Sequence, residues 1–303
     1  MPGAMIPWVM LLAQTTCAGC SERVLPVAGR TIPEGETTVR MALQYLTGDT
    51  AYKGSHRAHP APVQADVDWK REVASFELFH QFSRLIGAGA TFPYFEQDVD
   101  NRMTGVKSHA SGWGDLSLYA LWTPWNTEEP PVGTMLTPAH VTLYGGLSLP
   151  TGDPLEGEIP GLHNYHLGSG SVEYKLGVRY WADATEFLRL FGATIVVIDG
   201  GPDPSGFAYG NSYEMDLGVT VSPLKDLWIY AESIAIVRSK DRQGVLTLDD
   251  TGGTWWFAEV GIGARVVGGL SLEGSVSLPF YRNVNGTQPV PEAIYTAGFR
   301  YRF

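Results

Sequence analysis

Three groups of residues have the types and spacing to do chemistry. His109-Ala110-Ser111 sets an imidazole beside a hydroxyl in His-x-Ser order, and Asn126 follows downstream. An imidazole oriented by a third group can activate a serine for acyl transfer. Here Asn126 falls beyond Pro124 in an irregular connection, toward the opposite rim from His109, so no catalytic residue is expected. Cys17-Ala18-Gly19-Cys20 has the spacing of half a zinc or thiol-redox site. No second cysteine pair completes it, and His56 and His59 fall in a distant loop, so no cofactor is expected. A metal-handling tail built on Cys17 and Cys20 is a minor expectation.

The third group is larger. Arg40, Asp115, Tyr119, Glu173, Lys175, Arg179, Glu214, Asp216, Glu259, Arg265, Glu273, Arg300 and Arg302 stand in segments whose alternate positions are apolar. Side chains of a strand alternate in direction, so these groups share a polar face opposite an apolar one. Buried ions need partners. Most of the set is therefore expected to brace an interior by cross-strand pairing, and the remainder to line a path for a solute.

The elements that must position them are strands. From Gly35 the chain divides into segments of about ten residues separated by turn chemistry. They are Thr37 to Leu46, Val67 to Phe79, Leu85 to Phe95, Gly114 to Trp122, His140 to Leu149, Ser171 to Tyr180, Glu186 to Ile198, Ser212 to Val221, Leu227 to Val237, Trp255 to Val267, Leu270 to Phe280 and Ile294 to Phe303. The alternation is clearest in Ser171 to Tyr180, where Val172, Tyr174, Leu176, Val178 and Tyr180 oppose Glu173, Lys175 and Arg179. No face can be assigned to Glu186 to Ile198.

Short connections at Phe79 to Leu85, Trp181 to Thr185, Pro223 to Asp226 and Val267 to Leu270 alternate with long polar ones. The long ones are Thr47 to Asp66, Glu96 to Ser111, Thr151 to Gly168, Asp199 to Asn211, Ser239 to Gly253 and Arg282 to Glu292. Thr123 to Pro138 breaks the rule, being long where a short turn is due. Alternating short turns and long loops with an even strand count is the pattern of a transmembrane barrel. The expected fold is all-β: a single closed antiparallel barrel of about twelve strands.

Composition agrees. Apolar runs such as Ile6 to Ala13 and Ala193 to Ile198 are far short of the roughly 20 residues a membrane helix needs. Mean hydropathy is -0.05, as alternating strands require. A net charge of -11 argues against nucleic acid as a partner. Residues 1–20 read as a leader, 21–36 as a periplasmic tail and 37–303 as the barrel. The last segment puts Phe299, Tyr301 and Phe303 on one face and Arg300 and Arg302 on the other. It resembles the closing strand of bacterial outer-membrane β-barrels, whose terminal aromatic residue is an assembly signal. That resemblance implies outer-membrane lipid and the barrel assembly machinery as partners, and an assembly role for Phe299, Tyr301 and Phe303.

A narrower resemblance rests on Ser111-Gly112-Trp113-Gly114-Asp115-Leu116-Ser117-Leu118-Tyr119, then Gly146-Leu147-Ser148-Leu149-Pro150-Thr151-Gly152, then Leu167-Gly168-Ser169-Gly170-Ser171. This order resembles the outer-membrane transporter family named for the meta-cleavage pathway of phenol degradation, distant relatives of fatty acid and aromatic hydrocarbon channels. It implies passive uptake of small hydrophobic or aromatic solutes. Two alternatives stay open. One is a closed accessory barrel whose loops or N-terminal tail bind a partner or metal. The other is a lipid hydrolase, because outer-membrane phospholipases also pair twelve strands with a His-x-Ser pattern.

Overall fold

The computed structural model describes residues 34–58, 67–127, 139–152 and 167–303. The leader and the Cys17/Cys20 pair lie outside the described residues, as do Glu128 to Pro138 of the irregular connection and most of the Thr151 to Gly168 loop. In chain order the strands are β1 (Thr37–Gly48), β2 (Thr50–Gly54), β3 (His56–Arg57), β4 (Val67–Gln81), β5 (Ile86–Asn101), β6 (Lys107–Trp113), β7 (Leu116–Thr127), β8 (Ala139–Leu149) and β9 (Glu173–Asp183). They continue as β10 (Leu188–Asp199), β11 (Phe207–Ala208), β12 (Ser212–Leu224), β13 (Leu227–Arg238), β14 (Arg242–Gln243), β15 (Leu246–Thr247), β16 (Gly253–Val267), β17 (Leu270–Val290) and β18 (Ala293–Arg302).

The wall is a closed 12-strand antiparallel barrel. Each wall strand pairs with its sequence neighbour in the wall, and β1 zips onto β18 from Thr38↔Arg302 to Thr47↔Ala293 to close the ring. β6 and β7 act as one wall strand broken at Gly114-Asp115: β6 pairs the upper part of β5 and β7 its lower part. Every expected segment overlaps a wall strand, although most of the strands run past the expected bounds.

The outer face explains why a sheet closes here. Leu43, Phe76, Leu118, Leu147, Leu176, Val219, Ile262, Leu278 and Phe299 are all exposed on it. So continuous an apolar belt has no place in water. In lipid it is required, and every backbone N–H and C=O must then find its partner within the protein, which ring closure achieves. Exposed aromatics gather at both edges of the belt. Phe82, Trp122, Trp125, Phe187, Tyr301 and Phe303 sit toward the short-turn end, and Trp113, Tyr174, Tyr213, Trp256 and Phe280 toward the long-loop end. Paired aromatic girdles mark the two interfaces of a membrane barrel.

Two of the short turns share one chemistry. Ser83 Oγ accepts from the N–H of Leu85 and Ile86, and Thr185 Oγ1 from those of Phe187 and Leu188. At the β16–β17 turn Gly268 takes φ +53°, which a side chain would disfavour.

Parts of three expected loops are instead strand, Thr47 to Asp66 contributing β2 and β3. β5 runs on to Asn101 and β6 begins at Lys107, while β17 continues through Val290. Beyond the lipid the outward face no longer has to be apolar, so alternation fades although the ladder persists. Ionic pairs across β5 and β6 take over: Lys107–Asp100 at 2.8 Å and His109–Asp98 at 2.9 Å. The Asp199 to Asn211 and Ser239 to Gly253 connections also carry structure, joining through a small sheet of β11, β14 and β15.

Candidate functional site

The interior of the barrel is divided along its axis. Toward the short turns it is polar and reached by water. Glu36 and Arg302 pair at 2.9 Å, Arg189 and Asp183 at 2.6 Å, and Arg265 and Asp226 at 3.5 Å around the mouth. Further in, Arg40 Nε and Nη2 both lie 2.7 Å from Glu273, and Arg300 lies 3.8 Å from the other oxygen of that carboxylate. Tyr119 donates to Glu77 at 2.5 Å, and Tyr230 to Glu259 at 2.9 Å. Arg40, Glu273 and Arg300 keep 15%, 15% and 17% of their side-chain surface exposed, so the centre is partly open.

Toward the long loops the interior is dry on one side. Leu46, Val67, Trp69, Val73, Phe95, Val99, Ile234, Ile236, Trp255, Phe257 and Ile294 project inward and pack into one buried cluster, joined by Ala51, Ala110, Leu167, Val284 and Val290. Apart from Ala51 on β2 and Leu167 in the chain before β9, these residues come from contiguous wall strands running from β13 round through β1 to β5 and β6. A membrane barrel's interior is ordinarily polar, so this apolar core is the feature that sets the interior apart. Arg71 lies over the Phe95 ring at 4.2 Å beside it.

Aromatic side chains lie flat where the facing strand has glycine. A Cβ at Gly261 would meet Tyr230 at 2.3 Å, one at Gly263 would meet Trp228 at 2.3 Å, and one at Gly218 would meet Phe191 at 2.3 Å. Gly89 serves Tyr119 and Gly87 serves Phe79 in the same way. The wall thus absorbs the rings, which would otherwise project into the interior.

All thirteen expected interior residues face inward, but they do not form one site. Arg265 and Arg302 belong to the mouth; Arg40, Tyr119, Arg179, Glu259, Glu273 and Arg300 to the centre. Lys175 donates to Ser117 at 3.0 Å, with Glu173 at 4.0 Å, and Glu214 and Asp216 are buried on β12. Asp115 is held by the chain before β9. Its carboxylate accepts from Gly152 N–H at 2.9 Å and from Ser169 N–H and Oγ, each at 2.6 Å. A Cβ at Gly152 would meet Gly168 at 2.8 Å and Gly114 at 2.9 Å. The three glycine-rich motifs therefore converge in a knot that ties β7 to the chain before β9, with Asp115 as its centre.

Sequence reasoning missed Glu77, Tyr144, Tyr230 and Glu232, which face inward among these groups. The alternation Val73, Ser75, Glu77, Phe79 held the signal for the first. His109 and Ser111 stand on the outer face of β6, near the long loops, while Asn126 pairs with His140 near the other rim. The three are not brought together. Phe299 and Tyr301 lie on the outer face of β18, and Phe303, just past its end, stacks on Tyr301 at 5.9 Å.

The architecture has a counterpart among solved structures. It is similar to an outer-membrane channel from Pseudomonas putida F1, with a TM-score of 0.72 at 16% identity, covering 92% of this chain and 99% of that one. The fold is that of an outer-membrane barrel. The transport unit of the autotransporter AIDA-I from Escherichia coli is also similar, with a TM-score of 0.51 at 13% identity over 92% of this chain and 93% of that one. No protein-family model matches the sequence, and no curated protein matches it, so the narrower phenol-pathway resemblance gains no support from sequence.

Proposed function

We propose that this barrel is a bacterial outer-membrane channel for passive uptake of small hydrophobic or aromatic compounds, with no enzymatic step. On this reading the short turns face the periplasm, the long loops face outward, and lipid and the assembly machinery are its partners. The observation that carries the proposal is the apolar core inside the barrel wall. An ion entering such a region loses its hydration without compensation, whereas an apolar solute exchanges one apolar surface for another. On that side the outward half then excludes ions, and the wet half below it receives the solute. Likeness in fold to an outer-membrane channel is consistent with this and sets no substrate.

A second reading, a closed accessory barrel, is favoured by how fully Val67, Ile234 and Val290 are buried. Purified protein in vesicles with a lipopolysaccharide outer leaflet separates the two. That leaflet retards apolar solutes, so protein-dependent entry of toluene supports a channel, and its absence supports the closed barrel.

A further inference from the structure

We propose that Arg300, with Arg40 beside it, forms a binding site in the wet half of the interior for a small apolar monocarboxylate. The site rests on the channel reading for its route of access and adds a ligand class to it. Arg40 and Arg300 are direct cross-strand partners on β1 and β18 and both face inward. Like charges so placed repel unless an anion lies between them. The anion present is Glu273, and Arg40 takes it with two contacts at 2.7 Å. Arg300 is left with a 3.8 Å contact to the same carboxylate, and its Nε and Nη2 are buried without a hydrogen-bond partner.

Buried guanidinium donors without acceptors are costly, and a guanidinium presents paired donors that match a carboxylate. Glu77, the other nearby carboxylate, sits across from Arg40 and accepts from Tyr119. Arg179 reaches in from β9 on the opposite wall, within electrostatic range of Arg300, Glu77 and Asp216, and adds positive potential to the same space. Phe79, Tyr119 and Tyr144 form a buried series of rings with centroids 6.0 and 5.8 Å apart, and the partly buried Leu121 and Ile195 packed against them offer the apolar half of a ligand its surface. Tyr119 itself lies in electrostatic range of Arg300. A carboxylate on Arg300 with a compact apolar body toward Leu121 and Ile195 satisfies both.

The test is calorimetric titration of the detergent-purified full chain with benzoate and with benzamide, its neutral counterpart. Benzoate should bind at least tenfold more tightly than benzamide, and Arg300→Gln should remove that preference while heat-modifiable migration stays normal. Equal binding of the two ligands by the wild type overturns the proposal, and so does an unchanged benzoate preference in Arg300→Gln. If Arg300→Gln does not fold, Arg300→Lys and the wild-type comparison decide, the lysine being expected to weaken benzoate because it lacks the paired donors. Toluene entry into vesicles is measured on the same preparation. Toluene entry without a benzoate preference overturns the carboxylate site alone, whereas absence of toluene entry overturns the channel reading.

Discussion

Arg40 reaches across β18 to Glu273, placing Nε and Nη2 each 2.7 Å from one carboxylate oxygen. The contact skips a strand, so it braces three strands at the seam where the barrel closes. Glu273→Gln should lower the free energy of unfolding by about 2–3 kcal/mol, less than the roughly 3–5 of a fully buried pair because water reaches both groups. Urea unfolding in lipid vesicles measures this. Loss below about 0.5 kcal/mol would mean that the seam is held by the ladder alone.

Gly261→Ala should displace Tyr230 from the wall and break its bond to Glu259, since the new Cβ would meet the ring at 2.3 Å. Overpacking of this kind costs about 1–3 kcal/mol. Removing the ring as well, in Gly261→Ala with Tyr230→Ala, should relieve the clash, so that the effects of the two changes do not add.

Asp115→Ala orphans the N–H groups of Gly152 and Ser169 in the glycine knot, while Ser169 Oγ keeps Ser171 O as an acceptor. Each unsatisfied buried donor costs about 1–3 kcal/mol, with water able to recover part of it. Stability should fall by more than for Asp115→Asn, which keeps one acceptor oxygen. Equal loss from both variants, read by urea unfolding, would place the whole effect on the charge.

Leu176 and Lys175 are neighbours on opposite faces of β9, one exposed and one buried. Leu176→Arg should destabilise the barrel by about 2–4 kcal/mol in vesicles, the cost of a cation at mid-membrane. Val245→Arg, in the turn between β14 and β15 and almost fully exposed, should change stability by less than about 0.5 kcal/mol. Equal effects would mean that the outer belt does not face lipid.

Much of this barrel was legible where its two faces differ in polarity. In β9, Leu176 and Val178 go to lipid and Lys175 and Arg179 go inward, so period-two alternation marks the strand and its facing. In β10 it fails, because Leu190, Val196 and Ile198 face lipid while Phe191, Ala193, Ile195 and Val197 face an interior that is also apolar there. The dry core was hidden for the same reason: Val73, Phe95, Ile234 and Phe257 look like ordinary strand residues until closure shows which way they point. Asp115 was placed inward by its strand position, but its role depends on Gly152 and Ser169, which only the folded chain brings near. Glu77 and Arg300 pair with residues far along the chain, and no local pattern records such partners.

The central claim is that an apolar core inside the wall passes apolar solutes and excludes ions. It is tested most directly by measuring ion conductance and toluene entry on one preparation, for the wild type and for Ile234→Ser with Phe257→Ser. The account predicts toluene entry with conductance near the protein-free baseline for the wild type, and a clear rise in conductance when the core is made polar. Wild-type conductance equal to that of the double variant, or wild-type vesicles that admit no toluene, would contradict it.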